Sequence, residues 1–444
     1  MGEVLNAAEA VWSGRADTTT HHPLGRPFGI EQVAEKTWFY KGFSGTVLRE
    51  TEEGLIMVDP GAYFDAQVRF EAIRSVVEPR LNTAVFTHGH VDHVFGMPYY
   101  IQESVARGWP RPKAVGQAAM PARFRRYRES ASWNGIINGR QFAGGSGRAV
   151  WPLDYHEPDI IYEDRLTVRV GGVRVLLRHA RGETDDHTWV FFPDTRVLCT
   201  GDLFIYAVPN AGNPQKVQRY ARDWAAALRE MADLEPEILL PGHGWPILGA
   251  DRVRQALQDT AALLESLHDQ TLALMNQGAS LDQVLHEVKA PADLIEKPYL
   301  RPVYDEPEFI VRNIWRLYGG WYDGTPSHLK PAPEQAQAGE IARLAGGADK
   351  LTARALELSG RGDHRLACHL ADWAKLAEPD SDRVFEAVQR VYTARAGAET
   401  STMAIGIFMT AARDAASAVP DQQIKGVSPI VKMQAGREKT DAAR

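Results

Sequence analysis

A run of metal-ligand residue types constrains this chain more than any other feature of its sequence. Residues 87–93 read Thr-His-Gly-His-Val-Asp-His and directly follow residues 81–86, an apolar run that predicts a buried strand. Neutral imidazoles and carboxylates are the ligands that a borderline divalent ion such as zinc prefers. His88 and His90 stand two positions apart at the strand end, so both can face one cleft, while the next aspartate and histidine can face a second ion. Two ions that share a bridging water are therefore the more natural arrangement than one crowded tetrahedral site.

Segments on both sides of this motif alternate between strand and helix patterns. Short apolar runs predict strands, and residues 65–77 and 217–232 carry apolar side chains at helical spacing. This alternation predicts an α/β fold in which helices pack on sheets, with the chemistry beyond the carboxyl ends of strands. The predicted strands are residues 37–40, 45–49, 55–58, 81–86, 166–170, 173–177, 189–192, 196–200 and 237–240.

The second half of the sequence has a different pattern. The strand pattern stops after about residue 250, and helical spacing continues to the last part of the chain. Residues 117–151, rich in Arg, Asn and Gly, are interpreted as an insertion or a long loop near the site. The predicted helices are residues 251–276, 280–288 and 306–320, followed by a proline-marked linker and a set of short helices within 335–415. The predicted domains are an irregular N-terminal arm (1–28), a catalytic domain (29–295), a helical domain (296–415) and a polar tail (416–444).

Composition excludes several classes of function. Of the 444 residues, 44% are hydrophobic and 24% are charged, which is ordinary for a globular protein and argues against disorder. The net charge of −7 and the lack of a long basic run argue against nucleic acid as a partner. Cys199 and Cys368 lie far apart in apolar patterns, so two reduced core thiols are expected. Because no signal peptide or membrane span is recognisable, we expect a soluble cytoplasmic protein that does not enter a membrane.

The motif itself resembles a known family. Residues 87–96, THGHVDHVFG, are similar to the hallmark of the metallo-β-lactamase superfamily, in which this motif follows an apolar strand. The resemblance implies an αββα sandwich that holds two divalent metal ions, with zinc as the expected ion. It also implies that later segments supply further ligands. His243 in Pro-Gly-His-Gly matches the last ligand histidine, and Asp202 matches the aspartate that ends a strand and bridges the ions.

One ligand position points to a particular branch of this superfamily. Most members have a histidine where this chain has Glu183, in the segment Gly-Glu-Thr-Asp-Asp-His-Thr, whereas alkyl sulfatases have a glutamate there. An extra carboxylate adds negative charge, which should hold the ions more tightly and reduce their Lewis acidity. The resemblance implies one ion on His88, His90 and Glu183, a second on Asp92, His93 and His243, and a bridge through Asp202. Asp92 and Asp202 are also the predicted catalytic carboxylates.

A second resemblance lies in the helical half. Residues 313–326, NIWRLYGGWYDGTP, are similar to the segment that opens the alkyl sulfatase dimerisation domain, and residues 346–379 continue the similarity. This resemblance implies an all-α dimerisation domain after the sandwich. We therefore expect a homodimer or a higher oligomer, with a hetero-oligomer as the alternative.

Several residues are candidates for binding the substrate. Arg219 lies five residues before Trp224, a spacing similar to that of a sulfate-contacting arginine in alkyl sulfatases, and its planar fork suits an oxyanion. A solvated helix arginine is the competing interpretation. Tyr127, Asn138 and Arg140 lie in the predicted insertion and are candidates to line the pocket. His179 matches no ligand position and is predicted either to support the ligands from behind or to lie at the surface, and His187 is also a candidate for support from behind.

The predicted activity is hydrolysis by a metal-bound hydroxide, with sulfate esters as the expected small-molecule substrates. Zinc can lower the pKa of bound water to about 7, which provides this nucleophile near neutral pH. The same centre can also cleave a carboxylic ester, a lactone, an ether or a phosphodiester, since these reactions differ in the pocket rather than in the metals. Two other classes stay open: a subunit of a hetero-oligomer whose helical domain serves assembly, and an oxidoreductase with iron in the same ligands.

Overall fold

The structure is a computed structural model that describes residues 2–142 and 151–419. The chain divides into two compact units, which we call the mixed unit and the helical unit. Within the described residues, the mixed unit comprises 2–131 and 151–320, and the helical unit comprises 132–142 and 321–419. The strands of the described chain all lie in the mixed unit.

The first sheet of the mixed unit has its strands in sequence order, β1 to β7. Its first four strands form an antiparallel meander, and β4, β5, β6 and β7 then pair in parallel. All five residues of β4 are buried because both faces of the sheet are covered. The strands are β1 (Gly29–Ala34), β2 (Thr37–Lys41), β3 (Gly45–Thr51), β4 (Gly54–Val58), β5 (Leu81–Val85), β6 (Lys113–Gln117) and β7 (Ile160–Tyr162).

The second sheet has the order β13-β12-β11-β10-β9-β8. Its neighbours are antiparallel except for β11 and β12, which run in parallel. β10 and β11 are buried along their whole length, so they form the centre of this sheet. The strands are β8 (Arg165–Val170), β9 (Val173–His179), β10 (Thr188–Phe192), β11 (Val197–Gly201), β12 (Ile238–Pro241) and β13 (Ile247–Leu248).

Three layers of apolar contacts hold the mixed unit together. Alternate residues of β4 face opposite layers: Met57 packs with helix residues such as Ile73, while Ile56 packs between the two sheets against Val190. A third layer joins the outer face of the second sheet to helices, where Trp224 is fully buried. The helices of this unit are α1 (Glu3–Trp12), α2 (Ala66–Arg74), α3 (Met97–Arg107), α4 (Met120–Glu129), α6 (Ala221–Asp233), α7 (Ala250–Asn276), α8 (Leu281–Glu287), α9 (Ala292–Ile295), the 3-10 helix Pro298–Leu300 and α10 (Pro307–Gly319).

This order of helix, sheet, sheet and helix layers confirms the predicted αββα sandwich, but two local predictions were wrong. The N-terminal arm is not irregular throughout, because α1 buries Val4, Ala8 and Val11 at helical spacing in the outer core layer. The predicted insertion or loop contains α4, which buries Phe124 and Tyr127 against the first sheet. The part of that prediction at residues 143–150 lies outside the described residues.

The helical unit confirms the predicted all-α domain. In α14, Ala367, Ala371 and Ala374 are fully buried at helical spacing, and these small side chains let neighbouring helices approach closely. Its helices are α5 (Ala131–Gln141), α11 (Pro326–Leu329), α12 (Glu334–Ala345), α13 (Ala348–Gly360), α14 (His364–Ala377), α15 (Asp382–Gly397) and α16 (Thr402–Ser417). α5 had been predicted as part of the insertion or loop. Most of the predicted polar tail, residues 420–444, lies outside the described part of the chain.

The helices of the described residues are amphipathic rather than uniformly apolar. The longest of them, α7, has 27 residues and buries one stripe that includes Val253, Leu257 and Leu264. Across residues 2–142 and 151–419, no helix is both long enough and apolar enough to span a bilayer.

Candidate metal centre

The predicted ligands lie at the carboxyl ends of strands from both sheets. His88, His90, Asp92 and His93 follow β5, Asp202 follows β11, and His243 follows β12. Glu183 lies in the loop between β9 and β10. The carboxyl ends of β11 and its parallel neighbour β12 lie at the same edge of their sheet, which explains how residues distant in sequence meet.

Two groups of ligand-type side chains meet at this edge. In the first group, Oε2 of Glu183 lies 3.2 Å from Nε2 of His88 and 3.2 Å from Nδ1 of His90. Asp202 completes this group, with its Oδ2 3.8 Å from Nε2 of His88. The ligand atoms of these four residues all lie within 4.8 Å of one another, a spacing that suits one metal ion.

The second group consists of Asp92, His93 and His243. Oδ2 of Asp92 lies 3.3 Å from Nε2 of His243 and 3.6 Å from Nε2 of His93. Asp202 faces this group as well, because its Oδ1 lies 3.3 Å from Nε2 of His93 and its Oδ2 lies 3.3 Å from Nε2 of His243. A single carboxylate therefore stands between the two groups, where the sequence predicted a bridging aspartate.

Buried polar atoms in these groups fit a cation. Nε2 of His93, Oε2 of Glu183 and Oδ1 of Asp202 are buried and have no hydrogen-bond partner within residues 2–142 and 151–419. An unsatisfied buried polar group costs about 1–3 kcal/mol, and more when it is charged. Imidazoles and carboxylates are suitable donors for a divalent ion, which would satisfy all three atoms at once. The donor set therefore suits divalent metal binding.

Electrostatic interactions among the side chains of the centre favour the presence of positive charge there, either as protonated histidines or as bound metal. Burial alone would lower the pKa of His93, but Asp202, Asp92 and Asp59 outweigh it and raise that pKa well above its usual value. Burial is likewise outweighed at His243, whose pKa rises to about 10 beside Asp202 and Asp92. The carboxylates respond in the opposite sense, since His243 and His93 hold the pKa of Asp202 well below its usual value despite burial. Without metal, protons on these histidines compensate the carboxylates, and a metal ion can take over that role.

Asp59 orients His93 from behind, a role that the sequence analysis missed. Its Oδ1 accepts the backbone N–H of Thr87 at 2.7 Å, and its Oδ2 accepts the Thr87 hydroxyl at 2.6 Å. Oδ2 also lies 2.8 Å from Nδ1 of His93, so that nitrogen carries the proton and Nε2 is left to bind metal. The sequence carried a signal for this role, because Asp59 directly follows the apolar run 55–58 that predicts a strand.

Glu183 is held by two donors on its other oxygen. Oε1 accepts Nδ2 of Asn210 at 2.6 Å and Nη1 of Arg219 at 2.7 Å, while Oε2 faces the first metal group. Arg219 is buried, which makes the interpretation as a solvated helix arginine wrong. Its Nε is also buried and has no hydrogen-bond partner in the described chain. Asn210 lay in no recognisable motif, so only the structure could identify it.

Two further histidines and one glycine also help to position the ligand side chains. Nε2 of His187 accepts the backbone N–H of Asp202 at 3.0 Å, and its ring stacks on His88 at 4.7 Å. His179 lies one step further out, with Nδ1 3.0 Å from the carbonyl of His187. Both therefore support the ligands from outside the metal groups. Gly242 is required for space, since a Cβ there would lie 2.1 Å from Oδ1 of Asp202.

The predicted substrate contacts have different locations. Tyr127 lies beside the first group, with its ring 6.3 Å from that of His90, and its hydroxyl accepts Nη1 of Arg123 at 3.2 Å. Asn138 and Arg140 belong to the helical unit, where the carbonyl of Arg140 accepts the hydroxyl of Thr410 at 3.1 Å. Their contact with a substrate stays a prediction.

Tyr304 is a further polar group that interacts electrostatically with the centre, and the sequence analysis missed it. It lies just before α10. Burial raises the pKa of its phenol well above its usual value, and the charges of Glu183, Asp92 and Asp202 raise it further, against the opposing charge of Arg219. This hydroxyl therefore stays protonated within the field of the ligand carboxylates.

Comparisons with known proteins agree with the fold. Residues 43–243 match the metallo-beta-lactamase superfamily, and residues 280–417 match the alkyl sulfatase dimerisation family. A linear primary-alkylsulfatase from Pseudomonas sp. is 28% identical over 350 residues, which cover 74% of this chain and 66% of that protein. An alkyl/aryl-sulfatase from Saccharomyces cerevisiae is 24% identical over 384 residues, which cover 81% of this chain and 59% of that protein. The chain thus spans less than two thirds of the length of these relatives.

A solved structure has the same fold over almost the whole chain. The stereoselective inverting sec-alkylsulfatase from Pseudomonas sp. superposes with a TM-score of 0.81 and covers 95% of this chain and 72% of its own. Its sequence is 22% identical, so this similarity concerns the fold.

Proposed function

Because the chain carries a metallo-beta-lactamase domain and an alkyl sulfatase dimerisation domain, we propose that it is a metal-dependent hydrolase that cleaves alkyl or aryl sulfate esters. The observation that carries this proposal is the pair of ligand groups joined by Asp202. Glu183 in the first group supports the sulfatase branch. The similar proteins described above, an alkylsulfatase and an alkyl/aryl-sulfatase, supply the proposed substrate class.

The proposed cofactor is a pair of divalent ions, with zinc as the expected ion. His88, His90 and Glu183 would hold one ion, Asp92, His93 and His243 the other, and Asp202 would touch both. When bound, such ions polarise a substrate oxygen and lower the pKa of water to about 7. Asp59 on one side, and Asn210 with Arg219 on the other, would keep the ligand atoms in place.

The residues of this chain also suggest roles in orienting water and in transferring a proton during ester hydrolysis. Asp92 and Asp202 are ionised carboxylates at the centre and can orient the attacking water by accepting its hydrogen bond. Tyr304 keeps its proton at neutral pH and can donate it to the departing alcohol oxygen. Arg219 has a buried Nε without a partner in the described chain, which supports the predicted contact with the sulfate oxyanion. The ring of Tyr127 lies 6.3 Å from that of His90, so Tyr127 stays a candidate for contact with the substrate.

The first test combines metal content with substrate turnover. Mass spectrometry of the purified protein should find two metal ions per chain, and alkyl and aryl sulfates should release sulfate. Glu183→Ala should abolish both the first ion and sulfate release, whereas Glu71→Ala, a change at an exposed residue of α2, should leave both unchanged. Two ions without sulfate release would reject the sulfatase proposal and direct the screen to carboxylic esters, lactones, ethers and phosphodiesters. A metal-free, inactive protein would instead favour a role in assembly.

We also propose that the chain is a homodimer joined through its helical unit. The family match to alkyl sulfatase dimerisation supports this assembly. The helical unit also exposes large apolar side chains, among them Trp321 at 71%, Leu344 at 76% and Leu329 at 55%. Sedimentation should give twice the 49.3 kDa chain mass, and monomers alone at working concentration would contradict the proposal. The cytoplasmic location and the domain bounds 29–295 and 296–415 stay predictions.

A further inference from the structure

A chain of four aromatic rings extends from the second metal group to the protein surface. Phe43 packs edge-on against the ligand His243, with ring centroids 5.4 Å apart, and Phe64 packs edge-on against Phe43 at 5.3 Å. Tyr63 lies 5.3 Å from Phe64 and 6.2 Å from Phe95. We call Phe43, Tyr63, Phe64 and Phe95 the aromatic ridge.

The backbone holds this ridge in a fixed position beside the ligands. Gly61 donates its N–H to the carbonyl of His93 at 3.0 Å and accepts the N–H of Phe95 at 2.9 Å. The carbonyl of Phe43 lies 2.6 Å from Nδ1 of His243. Gly61 has a φ of +99°, and a Cβ there would lie 2.3 Å from Nε of Arg69, so only glycine permits this loop. The ridge and the second metal group are therefore parts of one rigid arrangement.

The rings of the ridge differ in their surroundings. Phe43 is buried against His243, and the charge of Asp92 adds to burial in raising the pKa of Tyr63. Phe64, which packs between Phe43 and Tyr63, is 51% exposed. A centre that would hold divalent ions, beside an exposed apolar surface, suits an amphipathic ligand that has an anionic head and an apolar body.

We propose that the aromatic ridge binds the alkyl or aryl group of the substrate while the metal centre binds its oxyanion. This inference rests on the proposed function, because it concerns the organic part of a sulfate ester. Phe64 is the specificity-determining residue, since its exposed ring lies next to Phe43 and can cover the part of the organic group that extends beyond Phe43. Each methylene that the ridge removes from water should strengthen binding by up to about fourfold.

The test uses alkyl sulfonates, which have the head group and chain of the substrate but no ester bond to cleave. Calorimetry with hexane-, octane- and decanesulfonate on the metal-loaded protein should give affinities that rise with chain length. Phe64→Ala should flatten this dependence and leave hexanesulfonate nearly unchanged, while Phe64→Leu, which keeps apolar surface, should retain part of it. The control Val105→Ala removes apolar surface at a residue that is 79% exposed on α3 and should behave like the unaltered protein.

The outcomes separate this inference from the proposed function. If Phe64→Ala keeps the full dependence on chain length, or if no sulfonate binds at any length, the ridge is not the site of the organic group. If the dependence is lost in Phe64→Ala but the protein cleaves no sulfate ester, the ridge stands as a site for apolar anions and the sulfatase proposal fails. With turnover present, Phe64→Ala should raise KM for decyl sulfate more than for hexyl sulfate and leave kcat unchanged.

Discussion

Replacing Asp59 by asparagine tests whether the ligand atom of His93 is selected from behind the metal centre. Oδ1 and Oδ2 of Asp59 accept the backbone N–H and the hydroxyl of Thr87, and Oδ2 also faces Nδ1 of His93 at 2.8 Å. In Asp59→Asn, an amide NH₂ must replace one oxygen. If the remaining oxygen keeps the Thr87 N–H, the NH₂ group faces Nδ1 of His93, and two donors oppose each other.

The loss of metal affinity depends on how His93 avoids this contact between two hydrogen-bond donors. His93 can turn Nδ1 into an acceptor only by moving its proton to Nε2, which is the nitrogen that faces Asp202 and the second metal group. Loss of such an outer partner typically costs about 10- to 100-fold in metal affinity. This corresponds to roughly 1.4–2.8 kcal/mol. We expect a loss in this range for the site that contains His93 and a smaller change for the other site.

The assay is a titration of metal-free protein with zinc in competition with a chromophoric chelator, which resolves two affinities per chain. Asp164→Asn is the matched control, because it makes the same chemical change in the same unit at a side chain that is 61% exposed. Circular dichroism should show that both variants are folded. Two unchanged zinc affinities in folded Asp59→Asn would refute the reasoning that this carboxylate selects the tautomer.

Three further predictions follow from the same geometry. Without metal, the pKa of His243 is raised to about 10 and that of His93 well above its usual value, so an ion in the second group must displace a proton from each. Its affinity should therefore rise more than tenfold per unit between roughly pH 6 and pH 8, and calorimetry in buffers of different ionisation enthalpy should detect the released protons. Arg219→Met leaves Glu183 as a buried charge without its partner. Urea unfolding of the metal-free protein should therefore show that the free energy of unfolding falls by about 3–5 kcal/mol, and zinc should restore part of this loss. An equal loss with and without zinc would contradict this account. Tyr304→Phe should lower kcat for alkyl sulfates by about 10²- to 10⁴-fold, because the departing alkoxide needs a proton. Hydrolysis of nitrophenyl sulfate should change little, because nitrophenolate can leave without a proton. Equal losses on both substrates would exclude Tyr304 as the proton donor.

Residue type and spacing alone were sufficient to find the ligand-type side chains of residues 88–93, whereas Glu183, Asp202 and His243 were identified by resemblance to the metallo-β-lactamase superfamily. His88, His90 and the residues that follow them stand at a strand end, where neighbouring side chains are delivered to one cleft. Asp202 and His243 match later ligand positions of that superfamily, and each also follows a short apolar run that predicts a strand. Apolar periodicity likewise predicted the layered first part and the helical second part, since burial at periods of 2 and 3.6 residues is written directly in the sequence.

The tertiary structure decided which groups support those ligands. Asp59 and His93 are 34 positions apart, and Arg219 is 36 positions from Glu183, so no local pattern links either pair. Arg219 could be predicted as an oxyanion contact because guanidinium suits sulfate, but its pairing with a ligand carboxylate depends on how the loops after the strands fold back. Sequence periodicity reports which faces are buried, whereas the partner of a buried charge is determined by the three-dimensional packing of distant segments.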